Sequence, residues 1–203
     1  MKVSKVSLDS SRFLDLLEDK KIMVNKDLDD LKIDKKVPAI LEQEGLIYSI
    51  ARGIYIRSNE VSPWTHYWAV AARCEEAVFC LNSALVIHGI STQYAHAVWC
   101  ELPRTSRRPK MPNISMEFIT AMPWKHSIGV KTVRLDKVQV KVTSLERTVV
   151  DCFRLRRVVG MDVALEVLKE VIRDSLVQID DLIAMAKKLK VFSVMKPYIE
   201  ALS

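Results

Sequence analysis

The stretch LIYSIARGIYI, residues 46–56, leaves this chain the least conformational choice. Two β-rich runs, LIYSI and IYI, flank Ala51-Arg52-Gly53, where glycine supplies the positive φ of a tight hairpin turn. The residues before it follow a helical period instead. SSRFLDLLEDKK places Phe13, Leu16 and Leu17 on one helical face with Ser10 or Ser11 as N-cap, and Asn25 is positioned to cap a second short helix, NKDLDDL. KKVPAILEQEG predicts a third helix, with Pro38 tolerated in its first turn and Gly45 closing its end.

Three short helices followed by a hairpin is the pattern of a winged helix-turn-helix, in which the third helix can enter the major groove and the hairpin can touch the backbone. The expectation is such a domain over residues 1–57, with residues 58–63 as a linker. Beyond it, WTHYWAVAARCEEAVFC and LNSALVIHGI predict helices, the second closing at Gly89, and AHAVWCEL is extended. RTSRRPKMPN is a turn-rich basic loop; ISMEFITAM, VKTVRL and VQVKVT predict strands, the last two joined at Asp136-Lys137. SLERTVVDCFRLRR, MDVALEVLKEVIRD, DDLIAMAKKLK and a short C-terminal segment return to helix. The fold class is therefore α+β: a winged helix-turn-helix, then a larger α+β domain over residues 64–203 with its strands between 96 and 142.

With 203 residues and 49% hydrophobic content, the chain can bury a core, which argues against disorder. No run reaches the roughly 18 apolar residues of a membrane span, and MKVSKVSLDSS lacks the apolar centre of a signal peptide. A cytosolic protein with no membrane partner is expected. Cys74, Cys80, Cys100 and Cys152 form no CxxC pair and read as reduced, buried thiols. The net charge of +6 is unevenly spread: residues 1–57 carry +1, 58–102 carry −3, 103–158 carry +9 and 159–203 carry −1. Such a concentration of positive charge implies a polyanionic partner, either nucleic acid or an acidic protein face.

The densest cluster of reactive side chains is VTSLERTVVDCF, residues 142–153. Thr143 and Glu146 stand as T-x-x-E between a strand and an apolar run, which is the capping-box pattern. Arg147, Asp151 and Arg154 fall at i, i+4 and i+7, predicting one exposed face on which Asp151 pairs with either arginine, with Cys152 on the apolar side. No histidine adjoins that thiol in sequence, so the segment reads as structural rather than catalytic. His66, His88, His96 and His126 have no metal-ligand spacing, and His88 is placed to cap the last turn of its helix. Five scattered glycines make no phosphate-cradling loop, so no cofactor is expected. The basic residues remain. Arg104, Arg107, Arg108 and Lys110 occupy a loop that Pro103, Pro109 and Pro112 keep out of helix or central strand, and Lys131, Arg134, Lys137 and Lys141 follow on or between strands. The candidate DNA contacts are Lys35, Lys36, Arg52, Arg104, Arg107, Arg108, Lys110 and Arg134.

An N-terminal helical unit ending ARGIYI, then FCLNSALVIHGIS, a strand-rich basic region and VTSLERTVVDCFR together resemble the AbiEi-type antitoxins of type IV toxin-antitoxin systems. SALVIHGIS and TSLERTVVD are the most specific pieces, and the order matches across nearly the whole chain. The resemblance implies a bacterial protein with two roles, and the expectation is a monomeric, non-enzymatic antitoxin. Its N-terminal domain would bind operator DNA and repress its own operon, and its C-terminal domain would counter a nucleotidyltransferase toxin without a stable complex. One departure from the family is the third helix, where only Lys35 and Lys36 are basic and Glu42 and Glu44 are added. An alternative keeps the basic face but gives it an acidic protein partner, such as the toxin, with no operator binding.

Overall fold

Helix α1 (Lys5–Lys20) begins well before the serines expected to cap it, so Ser10 and Ser11 lie within the helix. Its buried apolar side chains are Phe13 and Leu17, both fully enclosed. The computed structural model describes residues 5–60, 62–90 and 97–202. Three expected features touch residues outside that range: part of the 58–63 linker at Val61, the end of SALVIHGIS, and the start of AHAVWCEL with His96.

After α1 come a two-residue strand β1 (Met23–Val24), helices α2 (Asn25–Leu31) and α3 (Val37–Gln43), and strands β2 (Ile47–Ala51) and β3 (Ile54–Arg57). Asn25 is not the cap of α2. Asp27 does that work, its Oδ2 accepting the Val24 N–H at 2.8 Å, while the Asn25 side chain accepts a hydrogen bond from Tyr55 instead. α3 carries Pro38 in its first turn and Gly45 just past its C-cap Glu44, with Leu46 N–H donating to Leu41 O at 2.9 Å. The hairpin turns at Arg52-Gly53, where φ is +73° and an added Cβ would lie 2.5 Å from the Asn25 amide. Glycine is therefore required there by conformation and by space. β1 pairs antiparallel with β3, giving the sheet order β1-β3-β2. Phe13, Leu17, Met23, Leu28, Val37, Leu41 and Ile47 form the core between helices and sheet.

This first unit comprises Met1–Glu75 together with Pro109–Ile114 and Val133–Val140. Helix α4 (Thr65–Arg73) belongs to it, and its Trp68 indole donates to Leu135 O at 3.1 Å. Ser62 Oγ donates to Asp136 at 2.7 Å and Lys137 Nζ to Glu18 O at 3.3 Å, which ties the tip of the later hairpin into this unit.

The second unit, Glu76–Arg108, Ser115–Thr132 and Lys141–Ser203, is built on a mixed five-stranded sheet. The sheet consists of β4 (Val78–Phe79), β5 (Val98–Pro103), β6 (Met116–Ala121), β7 (Val130–Leu135) and β8 (Val138–Thr143), in the order β6-β5-β4-β8-β7, with Val133–Leu135 of β7 and Val138–Val140 of β8 belonging to the first unit. β4 runs parallel to β8 and antiparallel to β5, and β5 runs parallel to β6. The expected helix through AVFC is thus a central strand. A short continuous apolar run reads alike in a buried strand and a buried helix, and here both faces of Val78 and Phe79 are covered.

Helix α5 (Leu81–His88) closes at Gly89 as expected. Helices α6 (Pro123–His126), α7 (Leu145–Arg154), α8 (Arg156–Val159), α9 (Met161–Arg173), α10 (Ile179–Lys188) and α11 (Phe192–Leu202) complete the unit. Phe153, Leu168, Val171, Leu182, Ala186 and Met195 are the centre of its core. The architecture is α+β, and among the described residues no helix is long and apolar enough to cross a membrane.

Candidate functional site

The TSLERT segment turns the end of β8 into α7, and its cap is Ser144 rather than Thr143. Ser144 Oγ accepts the Arg147 N–H at 3.3 Å. Thr143 is the last residue of β8, and its buried hydroxyl is shared with Thr148 Oγ1 at 2.8 Å and donates to Phe79 O at 3.4 Å. Two adjacent hydroxyls fit the sequence pattern equally well, and the point at which the strand releases the chain selects the second. Ser144→Ala should lower stability by about 1 kcal/mol in a urea titration, as cap losses do. Glu146 keeps a depressed carboxyl pKa: burial would raise it, but hydrogen bonds from Ser144 and its own N–H, with Lys131 and His88 nearby, outweigh that. His88 Nε2 donates to Thr143 O at 2.7 Å, so the last turn of α5 is joined to the start of α7.

The expected exposed face of α7 is buried. Arg147 and Asp151 are each 1% exposed, and every residue from Arg147 to Phe153 lies inside the fold. Asp151 does pair with both arginines, with Arg147 Nε at 3.2 Å and Arg154 Nε at 2.8 Å. The missing member is Glu101 on β5, whose two carboxylate oxygens each accept from Arg147 Nη2 at 2.7 Å. Arg147 Nη1 also donates to the carbonyls of Lys125, His126 and Ile128. Burial alone would lower the guanidinium pKa, but the charges of Asp151 and Glu101 hold it above its ordinary value. Space for this side chain is made by Gly129, at φ +58°, where a Cβ would lie 2.9 Å from Met185 and 3.1 Å from Arg147.

His126 completes the network. Its Nε2 donates to Glu76 O at 3.0 Å and its Nδ1 lies 3.2 Å from Glu101 Oε1. The result is a charged, fully partnered lattice that fastens α6 and the turn after it to β5 and α7. All four cysteines are thiols, Cys80, Cys100 and Cys152 buried and Cys74 half-buried. Burial, then the Asp151 charge, pushes the Cys152 thiol up to about 12, so it holds no nucleophilic thiolate near neutral pH. Among the described residues no three His, Cys, Asp or Glu side chains are grouped to hold a metal ion.

The candidate nucleic-acid contacts are all exposed, but they are distributed over both units. Lys35 precedes α3 and is paired with Asp29 at 2.8 Å; Lys36 is the N-cap residue of α3; Arg52 sits at the tip of the hairpin. Lys110 and Arg134 also belong to the first unit. Arg104, Arg107 and Arg108 lie in the second, on the loop after β5, with the Arg108 guanidinium 5.7 Å from the Phe118 ring centroid. The cleft beside the hairpin turn is mixed in sign, with Lys26 and Arg73 against Asp27, Asp30 and Glu75, and is not an anion site. No protein-family model matches the chain, and no curated protein sequence matches it.

Proposed function

We propose that the chain is a non-enzymatic antitoxin of the AbiEi type, whose first unit is a winged helix-turn-helix that binds operator DNA and whose second unit counters a nucleotidyltransferase toxin. The observation that carries the DNA-binding half is the pairing of β1 with β3. It turns three helices and a hairpin into the sequence α1-β1-α2-α3-β2-β3 around a β1-β3-β2 sheet, which supports the winged-helix reading. α3 then stands as recognition helix, with Lys35 and Lys36 at its start, and Arg52 tips the wing. The toxin-directed half rests on the resemblance of SALVIHGIS and TSLERTVVD. In support, His88 of the first motif is hydrogen-bonded to Thr143 of the second.

A second reading has one observation in its favour. Asp29 neutralises Lys35, and α3 carries Glu42, so the recognition surface is poorer in positive charge than a phosphate backbone favours. In that reading the basic residues meet an acidic protein face.

Two measurements test the proposal. A labelled duplex from immediately upstream of the gene should bind the chain, with an affinity that falls steeply as salt rises. Co-expression should restore growth to cells producing a nucleotidyltransferase encoded beside it. Binding no tighter than to unrelated duplex removes the operator role, and failure to restore growth removes the antitoxin role.

A further inference from the structure

Large hydrophobic side chains are exposed together at one place where the positive charge is also dense. Met122 is 48% exposed and Trp124 is 54% exposed, on and just before the short helix α6. Lys125 places its ammonium 5.2 Å from the Trp124 ring centroid. β5 and β6 are parallel and in register to Pro103 and Ala121, so both chains leave the sheet at the same end. Arg104 N–H then donates to Ala121 O at 2.9 Å, which brings the loop carrying Arg104, Arg107 and Arg108 beside Met122 and α6. At this end of the sheet the Glu76 carboxylate is engaged, accepting from Ser106 Oγ at 2.6 Å.

The platform is also held still. His126 fastens the end of α6 to Glu76 and Glu101, and Arg147 binds the carbonyls of Lys125, His126 and Ile128 from beneath. An exposed indole on an anchored helix among cations is the arrangement that binds unpaired nucleotides: the base stacks on the ring and the cations follow the phosphates. A duplex hides its base faces and cannot use the ring.

We infer that Met122, Trp124 and Lys125, with Arg104 and Arg107, form a binding site for single-stranded nucleic acid on the second unit. Bases stack on Trp124, and the phosphates lie along Lys125 and the arginines. Stacking on Trp124 is separate from operator recognition by the first unit, while Arg104 and Arg107 are shared with duplex phosphates. Nothing in it reads the sugar or a base edge, so binding is tolerant of sequence.

The test uses the full chain, a labelled short oligo(dT) and a duplex of the same length, followed by anisotropy. The wild type should bind the single strand and show quenched tryptophan emission. Trp124→Ala should weaken single-strand binding about tenfold or more, the loss of one stacked base, and leave duplex binding unchanged. Trp124→Phe should recover most of the loss. Because Trp124 is half-exposed, both variants should fold, which circular dichroism checks. Equal binding of oligo(dT) by the wild type and Trp124→Ala overturns the inference, as does a wild type that binds no oligo(dT).

Discussion

Arg147→Ala should cost about 3–5 kcal/mol of folding stability, the largest effect of any single substitution proposed for this chain. The reason is what it leaves behind. Glu101 and Asp151 are each 1% exposed, and losing Arg147 removes the bidentate partner of one and one of the two arginine partners of the other. It also strips the Lys125, His126 and Ile128 carbonyls of a donor. Buried charges without partners carry their full desolvation cost, whereas removing both members of a pair is far milder. The double variant Arg147→Met with Glu101→Gln should therefore be more stable than Arg147→Ala. Urea unfolding measured as a shift in midpoint at constant slope reads both. A loss under about 1 kcal/mol for Arg147→Ala would mean that the network is solvated and that α6 is not held by it.

That network also shows where sequence reading stops. Spacing revealed that Asp151 could pair with Arg147 and Arg154, because i, i+3 and i, i+4 neighbours are local facts of helix geometry. Their burial was not local. It depends on Glu101, 46 residues away on β5, and on a helix covered on all sides. One signal was available: a lone glutamate inside the apolar run VWCEL, which a half-buried strand would have no reason to hold without a cation opposite.

Elements whose chemistry is self-contained were legible. α3 between Pro38 and Gly45, the Arg52-Gly53 hairpin, the closure of α5 at Gly89 and strands β6 to β8 all stand where turn and cap residues placed them. β1 and β4 were not, because two residues have no period and exist as strands only through pairing with β3, β5 and β8. The exposed Trp124 was equally silent in sequence. Alternation and helical period report which residues could be covered, not which one the fold leaves uncovered.

The second large effect concerns charge. Each phosphate contact contributes roughly 0.9 log unit of affinity per log unit of salt on duplex DNA, so removing a contacting cation flattens that dependence by about as much. Neutralising Arg104, Arg107, Arg108 and Lys110 together should flatten it by up to about 3.6. Lys35→Ala with Lys36→Ala has a ceiling of about 1.8 and should fall below it. Lys35 already spends its charge on Asp29 at 2.8 Å, and Glu42 lies along the same helix. The loop has no acidic residue from 104 to 110, and its four cations are exposed. Anisotropy titrations with duplex DNA at several salt concentrations measure both slopes. The loop variant should lose more affinity and more slope than the lysine pair. If the pair abolishes binding while the loop variant keeps the wild-type slope, recognition rests on α3 alone, and the loop's charge serves the single-strand site or a protein partner instead.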